Sequence, residues 1–181
     1  MDKDVEKILL NEEELDKITT RLASEIENDY KDSKNVLLLG ILKGSVVFMS
    51  DLMKKIKKPL QIDFMKVSSY GSGTTTTGKI NIILDLHRGD ISELDIIVVE
   101  DIIDSGKTLT YLCEYLKLNG AKSVKTVTLL DKPSRREVDF VPDYCGAQIP
   151  DEFIVGYGLD YAENYRTLPY VAILKKEVFS K

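Results

Sequence analysis

The sequence predicts an α/β fold in which a mostly parallel β-sheet is flanked by helices on both faces. Short apolar runs of strand length alternate with longer stretches whose apolar residues recur at helical spacing. This alternation is typical of parallel strands joined by crossover helices. Polar residues follow three of the apolar runs, and the sites of such sheets lie beyond the carboxyl ends of the strands. The chain has 181 residues, no internal repeat and no linker rich in Pro or Ser, so we expect residues 1–181 to form a single domain.

The individual elements follow from the same periodicities. A helix is predicted after Asn11, because Asn11 and Glu14 fit a capping box and apolar residues at helical spacing continue to Ile26. The other predicted helices cover residues 46–56, before Pro59, and the stretch that Ser105 opens, which ends at a C-cap at Asn119-Gly120. Strands are predicted over residues 35–42, 60–68, 79–86, 96–99 and 123–130, with shorter ones near 144–149, 153–157 and 170–174.

The segment from Val98 to Thr110, VVEDIIDSGKTLT, carries the most specific functional signal. Glu100 and Asp101 follow the apolar strand, Asp104 comes next, and Ser105-Gly106-Lys107-Thr108 opens the third helix. Backbone N–H groups in such a loop and at a helix N-terminus can hold a phosphate, and glycine lets the anion approach closely. The carboxylates are suited to ribose hydroxyls or to a divalent metal. The pattern therefore indicates a site for a phosphorylated sugar.

A purely structural explanation of this motif stands beside the functional one. Glu100 and Asp101 would then be a solvated strand end, and Asp104 or Ser105 an N-cap, a position that Asp and Ser favour. Three carboxylates beside a phosphate-type loop argue against this, because they would repel phosphate unless they had a metal or another purpose. The thirteen positions from Ile96 to Thr108 also fit the motif for phosphoribosyl pyrophosphate (PRPP) in the type I phosphoribosyltransferases: four apolar residues, two acidic, two apolar, then D-S/T-G-x-T. The segment therefore resembles that family.

Further segments resemble one branch of that family, the hypoxanthine-guanine phosphoribosyltransferases in their compact bacterial form. LKG at 42–44, SSYG at 68–71, LLDKPSRR at 129–136 and IPDEFIVGYGLDYAENYR at 149–166 match that branch in the right order. The resemblance implies the type I fold, a Rossmann-like parallel sheet with a small hood from the terminal segments over the active site. It also implies a purine-salvage reaction, in which PRPP and hypoxanthine or guanine give IMP or GMP and pyrophosphate.

The resemblance assigns roles to the residues of the PRPP motif. Glu100 and Asp101 would hold the ribose hydroxyls and the shell of a Mg²⁺ ion, the one cofactor implied. Asp104 would be the catalytic base that accepts a proton from the purine. The loop of Ser105, Gly106, Lys107 and Thr108 would cradle the 5′-phosphate, and Asp104 would lie beside the purine and the ribose 5-phosphate.

The purine would be held by residues from the later segments. The resemblance implies that Lys132 donates to the 6-oxo group, that Phe153 stacks on the ring and that the Ile154 carbonyl accepts from a 2-amino group. Asp160 would coordinate Mg²⁺ close to the purine. Without the resemblance, Phe153 would be an ordinary core residue, Asp160 a turn residue and Lys132 a surface charge.

The pyrophosphate would be held by Lys43, Gly44 and Arg166, with Ser69 and Tyr70 on a flap that closes over the substrate. In this family the peptide bond before the lysine that corresponds to Lys43 is often cis. The stretch from Tyr70 to Gly78 has no apolar residue after Tyr70 and is predicted to be a mobile loop, either this flap or a solvated hairpin tip.

Part of the same stretch, GTTTTGK at Gly73–Lys79, fits the G-x-x-x-x-G-K portion of a P-loop. Ile80 stands where that loop needs Ser or Thr, and the alternating residues after it predict a strand in place of the required helix. We therefore reject a P-loop nucleotidase.

Composition narrows the class of partner. A net charge of −5 argues against a broad nucleic-acid surface, and two cysteines give no disulfide framework. The start has no secretory signal and no apolar run is long enough to span a membrane, so we expect a cytoplasmic protein without membrane contact. Two alternatives remain: a phosphoribosyltransferase for xanthine or another base, and a regulator of this fold that binds RNA. The family commonly forms homodimers or homotetramers.

Overall fold

The larger of two sheets forms the centre of the molecule. The computed structural model describes residues 2–69 and 80–180. The strands of this sheet are β2 (Val36–Ile41), β3 (Gln61–Ser69), β4 (Ile80–Leu84), β5 (Asp95–Ile103), β6 (Ser123–Asp131) and β7 (Tyr144–Gln148). They lie in the order β4-β3-β2-β5-β6-β7, and all neighbours are parallel except β3 and β4. The predicted mostly parallel sheet is confirmed, as is the strand after Lys79.

Helices cover both faces of this sheet, as the alternating elements predict. They are α1 (Glu12–Asp29), α2 (Val46–Lys55) and α3 (Lys107–Leu118). Side chains alternate along each strand, so Leu38 joins the core beneath α1 and α2 while Leu37 and Leu39 join the core beneath α3. The strands buried on both faces are therefore continuous apolar runs in the sequence.

The predicted capping box at the start of α1 is present. The Glu14 amide donates to Asn11 Oδ1 at 2.9 Å, and the Asn11 amide donates to Glu14 Oε2 at 2.8 Å. The predicted C-cap of α3 is also present, with Asn119 at the cap and Gly120 at a φ of +90°.

A second, antiparallel sheet forms the hood that the resemblance implies. It contains β1 (Val5–Leu10), β8 (Ile154–Val155) and β9 (Val171–Leu174) in the order β1-β9-β8, and the single turn α4 (Lys176–Phe179) follows it. The strand periodicity did not predict β1, because VEKILL is short, charged and half-exposed, and its partner β9 lies at the other end of the chain. No helix in the described part of the chain is long and apolar enough to cross a membrane.

Candidate active site

Two adjacent carboxyl groups lie near the end of β5. The sequence placed Glu100 and Asp101 after the strand, but pairing with β6 continues to Ile103, so both lie within β5. Burial raises the pKa of Asp101 to about 6, although the Ile102 amide, which donates to it at 2.8 Å, and the charge of Arg166 oppose the rise. Burial and the neighbouring Asp101 raise the pKa of Glu100 well above its ordinary value.

The loop after β2 lies directly against Asp101. A Cβ atom on Gly44 would lie 1.6 Å from Asp101 Oδ2, so only glycine allows this approach. A Cβ on Gly158, from the hood, would lie 2.1 Å from the Gly44 carbonyl oxygen. The peptide bond between Leu42 and Lys43 is cis, as the resemblance suggests. The ends of β2 and β5 and the hood therefore meet at one place.

The predicted phosphate loop lies between β5 and α3. Gly106 is the N-cap residue of α3, with a φ of +83°, and the Ser105 hydroxyl accepts from the Lys107 amide of the first turn at 3.3 Å. Asp104 therefore does not cap α3, which argues against the structural explanation of that residue. A pocket of about 240 Å³ is lined by Asp104, the loop residues Ser105, Gly106 and Thr108, and neighbours from Glu100 to Leu109. A larger cavity of about 380 Å³ lies between α1, α2 and Arg166 and holds none of these residues.

A lysine lies beside Asp104, one of the residues that line the 240 Å³ pocket. Lys132 Nζ lies 3.8 Å from Asp104 Oδ1, and the Lys132 amide donates to the Ile103 carbonyl at 3.0 Å. The Lys132 side chain is 10% exposed, whereas that of Asp104 is 54% exposed. A buried cation therefore stands next to an accessible carboxylate, which provides one donor and one proton acceptor for the same ligand.

The segment that follows Lys132 supports this loop from behind, which the sequence did not predict. Arg136 donates to the Asp104 carbonyl and forms an ion pair with the buried carboxylate of Asp131. The Glu137 amide donates to the Ser105 carbonyl at 3.0 Å, and its carboxylate pairs with Lys107. The contact between Arg136 and Asp104 spans 32 residues, so no local pattern could indicate it.

Two of the predicted pyrophosphate residues, Lys43 and Arg166, belong to one ion-pair network. Arg166 Nη2 lies 2.7 Å from Asp160 Oδ1 and 3.3 Å from Glu163 Oε2. Lys43 Nζ lies 3.1 Å from both oxygens of Glu163. The hydrogen bonds from Lys43 and Arg166 lower the pKa of Glu163. The sequence singled out each of these residues except Glu163, which joins the two cations.

The hood supplies two of the predicted purine-binding residues, Phe153 and Ile154. Ile154 is buried in β8, where it pairs with Ile173. Phe153, directly before it, is half-buried, and its ring stacks on Phe179 of α4 with centroids 4.6 Å apart. Tyr161 contacts the Phe153 ring edge-on at 5.4 Å. Phe153 is therefore held between aromatic rings of the hood, a contact that the sequence did not predict.

The flap prediction falls largely outside the described residues. Ser69 is the last residue of β3, and its backbone pairs with Ile80 of β4. Tyr70, the stretch to Gly78 and the GTTTTGK segment lie beyond the part of the chain that the structure describes.

The two carboxylates on β5 fit a magnesium ion that is shared with a substrate. Glu100 Oε2 is buried and has no hydrogen-bond partner among the described residues. No group of three or more His, Cys, Asp or Glu side chains in residues 2–69 and 80–180 could hold a metal by itself, and Asp160 pairs with Arg166. Mg²⁺ is usually bound through one or two carboxylates together with waters and substrate phosphates, which suits this arrangement.

Comparison with known proteins identifies the same architecture. Residues 5–162 match the model of the phosphoribosyl transferase domain family. The chain is 50% identical over 179 residues to the hypoxanthine-guanine phosphoribosyltransferase of Bacillus subtilis and covers 98% of that protein. It is also 50% identical over 181 residues to the bifunctional protein TilS/HprT of Listeria monocytogenes, but spans only 28% of that longer relative.

Solved structures give the same result. A hypoxanthine phosphoribosyltransferase from Staphylococcus aureus superposes with a TM-score of 0.94 and 48% identity, covering 100% of this chain and 97% of that one. A Trypanosoma cruzi hypoxanthine phosphoribosyl transferase, from a study of how its C-terminal region affects oligomeric state and activity, superposes with a TM-score of 0.92. That chain is 38% identical, and the match covers 98% of this chain and 95% of that one.

Proposed function

This chain belongs to the phosphoribosyltransferase family, and we propose that it converts hypoxanthine or guanine, with PRPP, to IMP or GMP and pyrophosphate. The observation that carries this proposal is the pairing of Lys132 with Asp104, which lines the pocket of the phosphate loop. A purine held there would meet a hydrogen-bond donor and a proton acceptor, while the loop held the 5′-phosphate of the sugar.

Asp104 acts as the general base in this mechanism. The imidazole nitrogen of the purine attacks the anomeric carbon of the ribose, and the ring must lose a proton in the process. An exposed carboxylate next to the phosphate loop can accept that proton, and such catalysis is typically worth 10²–10⁴-fold. The hydrogen bond from Arg136 to the Asp104 carbonyl supports the position of the base.

Lys132 determines which purine the protein accepts. Its Nζ carries only donors, so it pairs with a 6-oxo group and opposes the 6-amino donor of adenine. Its side chain is nearly buried, and a buried polar group left unpaired by the wrong substrate can discriminate by about 10⁴-fold. Phe153 provides the stacking surface, and the Ile154 carbonyl accepts from the 2-amino group of guanine.

The residues at the ends of β2 and β5 hold the sugar and the leaving group. Glu100 and Asp101 bind the ribose hydroxyls, and Lys43, the Gly44 backbone and Arg166 bind the pyrophosphate. Glu100 and Asp101 would hold Mg²⁺ together with oxygens of the substrate, and the ion would supply positive charge to the departing pyrophosphate. Asp160 pairs with Arg166 and would be a separate contact of the metal, since the three carboxylates do not form one site by themselves. The cations of Lys43 and Arg166 stabilise the same developing charge.

A spectrophotometric assay of the purified protein with PRPP, Mg²⁺ and each of four purine bases tests this function. We expect turnover of hypoxanthine and guanine and none of adenine. Lys132→Ala should lose most 6-oxopurine activity and keep its affinity for PRPP, which calorimetry measures. Comparable turnover of adenine by the unaltered protein would refute the role of Lys132.

The fourth base in that assay, xanthine, decides the second candidate function. Xanthine also carries a 6-oxo group, so the donor of Lys132 admits it, and a preference for it would make the protein a xanthine phosphoribosyltransferase. An RNA-binding regulator is disfavoured by the net charge of −5 and by the presence of Lys132, Phe153 and Asp160. We also propose a homodimer or homotetramer, as is common in the family.

A further inference from the structure

Glu163 places a carboxylate between the two cations of the pyrophosphate site. Lys43 Nζ lies 3.1 Å from each oxygen of Glu163, and Arg166 Nη2 lies 3.3 Å from Oε2. Lys43 and Glu163 are 120 residues apart in the sequence, so only the fold brings them together. The Glu163 side chain is 66% exposed, and that of Lys43 is 51% exposed, so both are accessible to solvent and ligands.

The backbone holds Glu163 in this position at a conformational cost. Tyr161 and Asn164 exchange two backbone hydrogen bonds, of 3.2 and 3.0 Å, around a two-residue turn. The central residues of that turn, Ala162 and Glu163, have φ values of +50° and +64°. Turns with two positive φ values favour Asn and Gly, because other residues are strained there. The Glu163 amide also donates to Asp160 Oδ2 at 2.9 Å, which ties the turn to the site.

Arg166 has one guanidinium N–H group that donates to no other described residue. Its Nε is buried and has no hydrogen-bond partner among the described residues. Its guanidinium reaches Asp160, Glu163 and the Gly158 carbonyl through the two terminal nitrogens. A guanidinium binds phosphate best through two parallel N–H groups, so a diphosphate that displaced Glu163 would satisfy it more fully.

We propose that Glu163 is an internal counter-ion that occupies the diphosphate position and competes with pyrophosphate for Lys43 and Arg166. The inference rests on the proposed function, because it takes those two cations as the pyrophosphate ligands. The carboxylate neutralises them in the empty site and yields them to the diphosphate of PRPP. It returns when the product leaves, and so weakens the retention of pyrophosphate.

Calorimetric titration of pyrophosphate in the presence of Mg²⁺ into the unaltered protein and Glu163→Gln tests this inference. Glutamine keeps the size of the side chain and removes its charge. We expect Glu163→Gln to bind pyrophosphate about 3- to 10-fold more tightly at low ionic strength, the range expected for losing one or two exposed ion pairs. The ratio of the two proteins' affinities for pyrophosphate should approach one as salt is added. Glu25→Gln, on the exposed side of α1, makes the same change in net charge and should leave the affinity unchanged.

The direction of the change separates competition from a structural role. If Glu163 only orders the turn, Glu163→Gln will bind pyrophosphate equally or more weakly, and the inference is overturned. The variant Lys43→Ala tests the proposed role of Lys43 as a pyrophosphate ligand, on which the inference rests. If this variant loses affinity while Glu163→Gln gains none, the inference fails and the proposed pyrophosphate site stands. If Lys43→Ala binds as tightly as the unaltered protein, both fail.

Discussion

Asp104 is an exposed carboxylate that the local helix does not need. Gly106 is the N-cap of α3, and the contacts of Asp104 are its ion pair with Lys132 and the hydrogen bond that its carbonyl accepts from Arg136. Asp104→Asn keeps the shape of the side chain but cannot accept a proton at neutral pH. We expect kcat to fall by about 10²–10⁴-fold, with PRPP affinity and melting temperature little changed.

Steady-state kinetics, calorimetry with PRPP and a thermal melt measure these three quantities. A fall in kcat of less than about fivefold, below the general-base range, would show that Asp104 is not the base. A drop in melting temperature would show that the side chain contributes to the fold.

At the scale of single residues, the sequence predicted those site residues that lie together in one contiguous segment. The run from Glu100 to Thr108 is contiguous, so its chemistry is visible in the sequence. Glu163 and Arg136 are polar residues without a local pattern, and their partners Lys43 and Asp104 lie 120 and 32 residues away in the sequence. Lys132 and Phe153 came from the family resemblance, because a lone lysine or phenylalanine indicates nothing by its spacing.

At the scale of elements, the single turn α4 completes the aromatic cluster around Phe153. Phe179 stacks on that ring and Tyr161 contacts it edge-on, so both side chains fix the position of the ring that we propose stacks on the purine. Phe179→Ala should therefore raise the KM for hypoxanthine about 2- to 10-fold, the value of an aromatic pair. The KM for PRPP and kcat should stay the same, because Phe179 touches none of the phosphate residues.

Matched variants of α4 separate this effect from simple destabilisation. Glu177→Ala changes an exposed residue of the same turn and should leave the KM for hypoxanthine unaltered. Phe179→Tyr keeps the aromatic ring and should have the same KM for hypoxanthine as the unaltered protein. Equal KM values in Phe179→Ala and the unaltered protein would show that α4 has no part in purine binding.

The elements that the sequence predicted poorly share a physical cause. β1 and α4 are short, and each is stabilised by contacts with segments far away in the chain. β5 extends past its apolar run because pairing with β6 continues through Glu100 and Asp101. The long buried strands and amphipathic helices were predicted because their own side chains carry the periodicity.

At the scale of the whole molecule, the start of β5 stabilises the fold, whereas its end carries residues of the candidate active site. Asp95 begins the strand, about 27 Å of extended chain from its end, and accepts hydrogen bonds from Ser33, Ser123 and Lys122. Burial alone would raise the pKa of Asp95, but these bonds outweigh it and lower the pKa below the ordinary value of 3.8. Asp95 therefore joins two segments, the loop before β2 and the start of β6, at the end of the sheet remote from the active site.

Asp95→Asn should reduce the free energy of unfolding at pH 7 by about 2 kcal/mol, the range for a hydrogen bond to a charged group. Because the pKa of Asp95 is lower in the folded state, its contribution is present above pH 3.8 and lost as the pH falls through the folded-state pKa. The difference in the free energy of unfolding between Asp95→Asn and the unaltered protein should therefore become smaller at acidic pH. Urea unfolding at several pH values measures it.

Two further results test the same prediction. The kcat of Asp95→Asn should be unchanged at a temperature where the variant is folded. Glu13→Gln, which breaks an exposed ion pair with Lys17, should shift stability by less than about 1 kcal/mol at every pH. A loss of stability in Asp95→Asn that stayed constant down to pH 2 would contradict the role of the charge.

The meeting of Gly44 and Gly158 has a consequence for how the two sheets can vary. A methyl group at either position would overlap the Asp101 carboxylate or the Gly44 carbonyl oxygen. Substitution of Gly158 would therefore push the hood loop away from the loop after β2, and substitution of Gly44 would displace the Asp101 carboxylate. The hood and the large sheet can therefore keep this close backbone contact only while both positions remain glycine.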